Sequence, residues 1–347
     1  MSISPVVSEA GRAARFVPRR TLPVFDVGRV LAGDLSAARA LAGPWAQVCE
    51  SLGFMCIVNH GVPGSLIARM EEQAKRYHDL PLDVKMQAPF TMRDQKGYAP
   101  ARFVVRGKTR FNVDRMVDTV EALVLATDYP AYDPRVQAGK RFYVPTVWPP
   151  AKLLPGFRST TEAYMSAITA LGKSLLPIWS LALDLDPEFF GPRFEENYTY
   201  FRIARYPAQP NLPADEMGVN AHADTGFMTF LPPAREEGLQ ILGPDGNWFW
   251  PDLPTNALIV NTGQFLERWT NDRFRATPHR VVPPVENDRY SLACFVNPNF
   301  DASGACLPSC AGPANPPKYP ARTYWEFFDW YQNTGFAHDR MPAGGGG

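Results

Sequence analysis

The chain has 347 residues, 45% of them hydrophobic and 20% charged, and its 35 lysines and arginines balance 35 aspartates and glutamates. That is the make-up of a globular protein with a large core, and its neutrality argues against an extended nucleic-acid surface. No apolar run reaches the roughly 18 residues a membrane helix needs, the basic N-terminus lacks the hydrophobic core of a secretory signal, and five cysteines at unpatterned spacings suit reduced thiols in the cytoplasm.

Residues 1–20 read as a loose arm, followed by a short strand in TLPVFDVG. Residues 36–51 read as a helix despite Pro44, which breaks or offsets its start. Gly53–Asn59 reads as a buried strand, and a second helix starts near Gly64 and runs to about Leu80, with Leu66, Ile67 and Met70 on one face. Residues 90–150 mix short strand-like pieces with turns, a texture common in loops that line substrate sites. From Ser159 to about Leu185, Tyr164, Ile168, Leu171 and Leu175 form one apolar stripe, which Pro177 kinks or divides. After residue 197 come short strand candidates: YTYFRIARY, GFMTFL, GLQIL, ALIVNTG, FRATPHRVV and RYSLACFV. Asp245–Gly246 is the expected hairpin turn between LQIL and WFW. The pattern favours a sandwich or jelly roll, with a last helix over Thr323–Phe336.

One constellation carries chemistry. His222 and Asp224 are two residues apart, so on an extended strand they share a face. His279 lies on another strand that can return opposite them. Two imidazoles and one carboxylate leave a divalent ion with open positions, which suits Fe(II) that must also hold a cosubstrate and oxygen. Zinc accepts the same ligand types, so a zinc hydrolase stays open on spacing alone. Arg289 and Ser291, farther along, share a face on one strand and can grip a carboxylate through the guanidinium fork and a hydroxyl.

These residues resemble the isopenicillin N synthase-like family of Fe(II)/2-oxoglutarate-dependent oxygenases. LPVFDV, GFMCIVNHGVP and LPLDVK are similar to its N-terminal region. RIARYPAQP, HADTGFMTFL, GLQIL, DGNWFWP, ALIVNTG, RWTNDRFRATPHRVV and RYSLACFVNP are similar to its catalytic core, and PPKYPARTYWEFF to its C-terminal extension. The resemblance implies an α+β fold. Its core is a distorted double-stranded β-helix, or jelly roll, flanked by N-terminal helices and a C-terminal helix. Residues 1–190 form the N-terminal helical and substrate-lining region. Residues 191–347 form the catalytic core and C-terminal extension, integrated with it in one domain to which strands before 190 contribute. It further implies His222, Asp224 and His279 as iron ligands, and Arg289, Ser291 and Tyr206 as the grip on the far carboxylate of 2-oxoglutarate. Asn261 is expected to orient cosubstrate or substrate. His60 belongs to the scaffold. Two departures stand out: HAD replaces the family's HTD, and Gln264 stands where an aspartate is common.

The implied reaction is oxidation, foremost hydroxylation, of a small organic molecule by O2, with release of succinate and carbon dioxide. The matching arginine and serine of isopenicillin N synthase bind its substrate, so a 2-oxoglutarate-independent cyclase remains the alternative. Candidate substrate residues are Phe103, Arg106, Arg110, Phe111, Phe230, Phe295 and Asn297. No nucleic acid, membrane or obligate protein partner is expected.

Overall fold

The computed structural model describes residues 14–106, 116–213 and 216–334. Its strands in chain order are β1 (Arg19–Thr21), β2 (Val24–Asp26), β3 (Phe54–Val58), β4 (Gly97–Ala99), β5 (Val105–Arg106), β6 (Met116–Asp118), β7 (Glu121–Ala126) and β8 (Tyr198–Tyr206). They continue as β9 (Glu216–Met217), β10 (Val219–His222), β11 (Met228–Leu231), β12 (Leu239–Leu242), β13 (Trp248–Asp252), β14 (Leu258–Thr262), β15 (His279–Val281) and β16 (Arg289–Asn297). The longer helices are α1 (Leu35–Ser51), α2 (Gly64–His78), α3 (Phe157–Ser174) and α4 (Tyr324–Thr334).

An eight-stranded sheet runs β2-β3-β14-β11-β16-β8-β7-β4, and a five-stranded sheet runs β1-β13-β12-β15-β10. The strand period of two assigns each side chain to a layer. Phe54 and Cys56 of β3 pack with Ile241 and Phe249 of the smaller sheet, whereas Met55 and Ile57 between them join the helical core. On β16, Leu292, Cys294 and Val296 likewise face the helices. The face between the two sheets is thereby left to the residues of opposite parity. This is the expected jelly roll flanked by helices, and β2, β3, β4 and β7 all reach the large sheet from before residue 190.

Some local expectations need correction and others are met. The arm is docked from Ala14 onward: Arg15 donates to the Pro283 carbonyl at 2.7 Å, and β1 pairs in parallel with β13. Pro44 interrupts nothing, because α1 runs through it. Pro44 and Ala40 are both exposed, so the carbonyl left without its bond faces water. Asp34 caps the helix start by accepting from the Ala37 amide at 3.1 Å. The stripe after residue 157 is divided, with a break at Leu175 and a short helix over Leu176–Leu181. Only His279–Val281 of FRATPHRVV is strand. The Asp245–Gly246 turn is present, with Gly246 at φ +79°.

Candidate active site

His222 ends β10 and His279 begins β15, directly across the ladder from each other. The register slips between Val219 and His222, an irregularity of the kind that re-aims a side chain at a strand end. The imidazole centroids lie 4.3 Å apart. Asp224 stands beyond the end of the strand, so strand alternation is not what aims it. A turn brings it round, anchored where the Gln264 amide donates to the Asp224 carbonyl at 2.7 Å. Ligand atoms of the three side chains all lie within 4.8 Å of one another.

The hydrogen bonds orient these atoms. His222 Nδ1 lies 2.8 Å from the Asn220 carbonyl and His279 Nδ1 lies 3.2 Å from the Thr277 carbonyl. A carbonyl can only accept, so each Nδ1 carries the proton and each Nε2 keeps a lone pair. Those Nε2 atoms lie 3.9 and 3.5 Å from Asp224 Oδ1. The other carboxylate oxygen is committed: Oδ2 accepts from Thr229 Oγ1 at 2.6 Å and from Asn261 Nδ2 at 2.7 Å. Thr229 and Asn261 are themselves direct cross-strand partners in β11 and β14. Burial opposes ionisation of Asp224, but His279, His222 and Thr229 outweigh it and hold the carboxyl below its ordinary value. Two nitrogen lone pairs and one free anionic oxygen thus converge, a donor set that fits Fe(II).

Arg289 opens β16 opposite Tyr206 of β8, and its guanidinium lies 4.9 Å from the tyrosine ring centroid. It is 3% exposed; Nε donates to the Glu236 carbonyl at 3.1 Å, and Nη1 is buried with no hydrogen-bond partner. Burial pushes its pKa down, with Tyr206 opposing. Gly238 permits this seat, since a Cβ there would lie 2.7 Å from Arg289 Cδ. A buried cation with an unmet donor fits an incoming carboxylate. Ser291, two residues along, shares its face and is also buried.

Beyond the triad lies a cavity of about 280 Å³ lined by His222, Asp224, Phe103, Phe295 and Asn297, among others. Three of the expected substrate residues are therefore at its wall. Phe230 is not: alternation on β11 sends Thr229 to Asp224 and Phe230 to the helical core, where its ring meets Gly172 of α3. Arg106 lies in β5, while Arg110 and Phe111 fall outside the described residues. Asn261 lies behind the triad, where its Nδ2 donates to Asp224 Oδ2 and to the neighbouring Thr262 carbonyl. The sequence reading missed Thr229, missed Tyr200 and Arg202 at the cavity wall, and missed Tyr324, Phe328 and Tyr331 of α4. Periodicity carried the signal for most of these. Tyr200 and Arg202 share the parity of Tyr206, and the α4 residues fall at helical spacing. Gln264, the departure from the family string, donates to the Ala223 carbonyl and the Tyr331 hydroxyl, both at 3.0 Å, and so ties the metal turn to α4.

A jelly roll that gathers two imidazoles and one carboxylate beside a buried, unpaired arginine is the framework of a non-haem iron oxygenase. The family description "2OG-Fe(II) oxygenase superfamily" matches residues 197–298, and "non-haem dioxygenase in morphine synthesis N-terminal" matches 22–151. The chain is 31% identical over 308 residues to the 2-oxoglutarate-Fe(II) type oxidoreductase hxnY of Emericella nidulans, covering 87% of this chain and 86% of that one. It is 34% identical over 283 residues to the kihadalactone A synthase LFS of Citrus sinensis, covering 79% and 82%. In fold it is similar to a full-length Neurospora crassa protein whose crystal structure is in complex with alpha-KG, with TM-score 0.77, 22% identity, and 96% and 100% of the two chains covered. The chain belongs to the 2OG-Fe(II) oxygenase superfamily. It is a 2-oxoglutarate-dependent dioxygenase, with Fe(II) and 2-oxoglutarate as its cofactor and cosubstrate. No helix among the described residues is long and apolar enough to cross a membrane.

Proposed function

We propose that His222, Asp224 and His279 hold Fe(II), that Arg289, Ser291 and Tyr206 hold the far carboxylate of 2-oxoglutarate, and that the adjoining cavity receives a small, largely apolar organic molecule for hydroxylation. The observation that carries this reading is Arg289, a buried guanidinium with an unpartnered Nη1 on the strand next to Tyr206. An ordinary structural arginine at that depth would have a carboxylate of its own.

When bound, iron and 2-oxoglutarate supply the oxidising power, by reduction of O2 coupled to decarboxylation of the cosubstrate to succinate. The chain's own residues orient and exclude. Asn220 and Thr277 fix the imidazole tautomers, and Thr229 with Asn261 turns one carboxylate oxygen of Asp224 toward both Nε2 atoms. Arg289 and Ser291 hold one end of the cosubstrate, which sets the direction of the other. Val120, Ala122, Val124 and Phe295 line the cavity with apolar surface, which keeps water from the reacting centre. The Citrus relative is named for making kihadalactone A, a small organic product, in keeping with such a cavity. We assign the protein to the cytoplasm, acting without nucleic acid or an obligate protein partner; five free cysteines and balanced charge support this.

The test is anaerobic reconstitution with Fe(II) and 2-oxoglutarate, then oxygen and a panel of small molecules, with succinate measured against substrate loss. Succinate release that tracks substrate and vanishes in His279→Ala is expected. Turnover undiminished without 2-oxoglutarate, or sustained by zinc and not by Fe(II), would refute the reading.

A further inference from the structure

Arg202 lies on β8, four residues before Tyr206, on the face that carries Tyr200. It lines the cavity, and it is the one lysine or arginine among the described residues that do so. Other partly buried arginines have polar partners: Arg205 pairs with Glu121 and Asp288, Arg135 with Asp133 and Glu196, and Arg141 with Asp329, while Arg15 and Arg193 donate to backbone carbonyls and Arg280 to the Gln240 side chain. Among the described residues Arg202 has no ion pair and no side-chain hydrogen bond, and the one carboxylate on the cavity wall is Asp224, already committed on Oδ2 and aimed at the imidazoles with Oδ1. Nor is Arg202 a second grip for the cosubstrate end that Arg289 serves. Four residue steps separate it from Tyr206, roughly 13 Å along β8.

We infer that Arg202 is the substrate anchor and that the substrate is a small carboxylic acid, its carboxylate on the Arg202 guanidinium and its apolar or aromatic body against Phe295, Phe103 and Phe328. The inference rests on the reading above, since it takes the cavity beside the triad to be the substrate site. The charges support an acid. With a divalent iron, the Asp224 carboxylate and a 2-oxoglutarate dianion in place, the Arg289 cation completes a neutral set. Arg202 is then the uncompensated charge facing a mostly apolar wall, and a monoanion neutralises it. The planar fork favours a carboxylate, whereas a primary amide of the same shape offers neither the charge nor a second acceptor.

The experiment is calorimetric titration of the anaerobic protein loaded with Fe(II) and 2-oxoglutarate. The probes are phenylacetate, phenylpropanoate and phenylbutanoate, each against its primary amide. At least one acid is expected to bind about tenfold or more tightly than its amide, a difference that Arg202→Gln abolishes and Arg202→Lys keeps in part. Affinity for 2-oxoglutarate stays as in the wild type in both variants, which also reports their folding. Equal affinity for acid and amide, a preference that survives Arg202→Gln, or no saturable binding of any acid would each overturn the inference. So would loss of 2-oxoglutarate binding in Arg202→Gln alone, with Arg202→Lys intact. A wild-type protein that fails to bind 2-oxoglutarate in the presence of metal sinks the underlying reading at the first titration, and this inference with it.

Discussion

Asn261→Ala separates two roles for one amide. From the sequence, Asn261 is a residue for cosubstrate or substrate; in the fold, its Nδ2 donates to Asp224 Oδ2 at 2.7 Å beside Thr229 Oγ1 at 2.6 Å. Asp224 is 7% exposed, so water cannot readily take the place of a lost donor. A hydrogen bond to a buried charged group contributes about 1.5–3 kcal/mol. At about 1.4 kcal/mol per decade, Asn261→Ala should weaken Fe(II) binding by about 10–100-fold, the range found when partners behind metal ligands are removed. The assay is anaerobic metal titration, followed by 2-oxoglutarate titration at saturating metal. Metal affinity should fall while affinity for 2-oxoglutarate at saturating metal holds. The reverse pattern, metal binding intact and cosubstrate binding lost, would refute the placement of this amide behind the carboxylate. Thr229→Val should mirror the metal defect, because it removes the other donor to the same oxygen.

Arg289→Met should weaken 2-oxoglutarate binding by about 2–5 kcal/mol, roughly 30-fold or more, in a cosubstrate titration. Because Nη1 has no partner, the same variant without ligand should unfold at or above the wild-type temperature, and a large drop in Tm would contradict the unpaired charge. Gly226→Ala drives a Cβ into the Asn297 side chain, whose Oδ1 accepts from the Phe227 amide at 2.9 Å; urea unfolding should register a loss of about 1–3 kcal/mol. Acid should destabilise the fold through a buried cluster away from the metal. Burial lowers the His78 pKa from its ordinary 6.5. Burial of Glu121 works against its ionisation, but His78, Tyr98 and Lys85 prevail and hold it below its ordinary 4.5. Both groups bind protons more readily when unfolded, so the stability they give is present above those ordinary values and drains as pH falls through the folded ones. Urea midpoints should therefore decline below about pH 6.5 and again below about pH 4.5, and Glu121→Gln should make the second decline shallower, with Asp224 and other depressed carboxyls sustaining the remainder. A midpoint flat from neutral pH to pH 4 would contradict this.

What could be read from the sequence was whatever repeats at a fixed period. The α3 stripe, the strands around RIARYP and RYSLACF, and the turn at Asp245–Gly246 each repeat or punctuate locally, and each is where the pattern put it. The errors fall where tertiary context decides. Pro44 signals a helix break, yet its side of α1 faces water and the missing bond costs little. Phe230 reads as a substrate contact until Thr229 is seen on Asp224, after which alternation sends the ring to the helices. Asp224 shares a face with His222 in a strand, but the strand ends at His222 and a turn tied by Gln264 does the aiming. No local pattern encodes that tie, since Gln264 lies 41 residues from the Ala223 carbonyl it binds and 67 from the Tyr331 hydroxyl.

The same contrast explains why the chemistry is legible and the substrate is not. One strand, β16, carries Arg289 and Ser291 at one end and Phe295 and Asn297 at the other, all on the inner face. Eight residues of strand make roughly 26 Å, enough to run from the proposed cosubstrate anchor past the Asp224 turn into the cavity. The first end sits against β8 in register, with Arg289 on Tyr206, so a short string of sequence specifies it completely. The far end is closed by residues that arrive separately: Phe90 and Phe103 from the segment before β7, and Tyr324 and Phe328 from α4. None of those has a spacing relation to the ligands. A change of substrate can therefore be made in the closing segments without disturbing the strand that carries the oxidation. Arg202 is the exception, because β8 carries it on the same face as Tyr206. A residue placed by the fixed geometry of the sheet yet opening onto the separately closed cavity is where sequence comparison and substrate choice should correlate. Grafting the α4 residues of a neutral-substrate relative should accordingly alter which acids bind while leaving the preference for acid over amide intact.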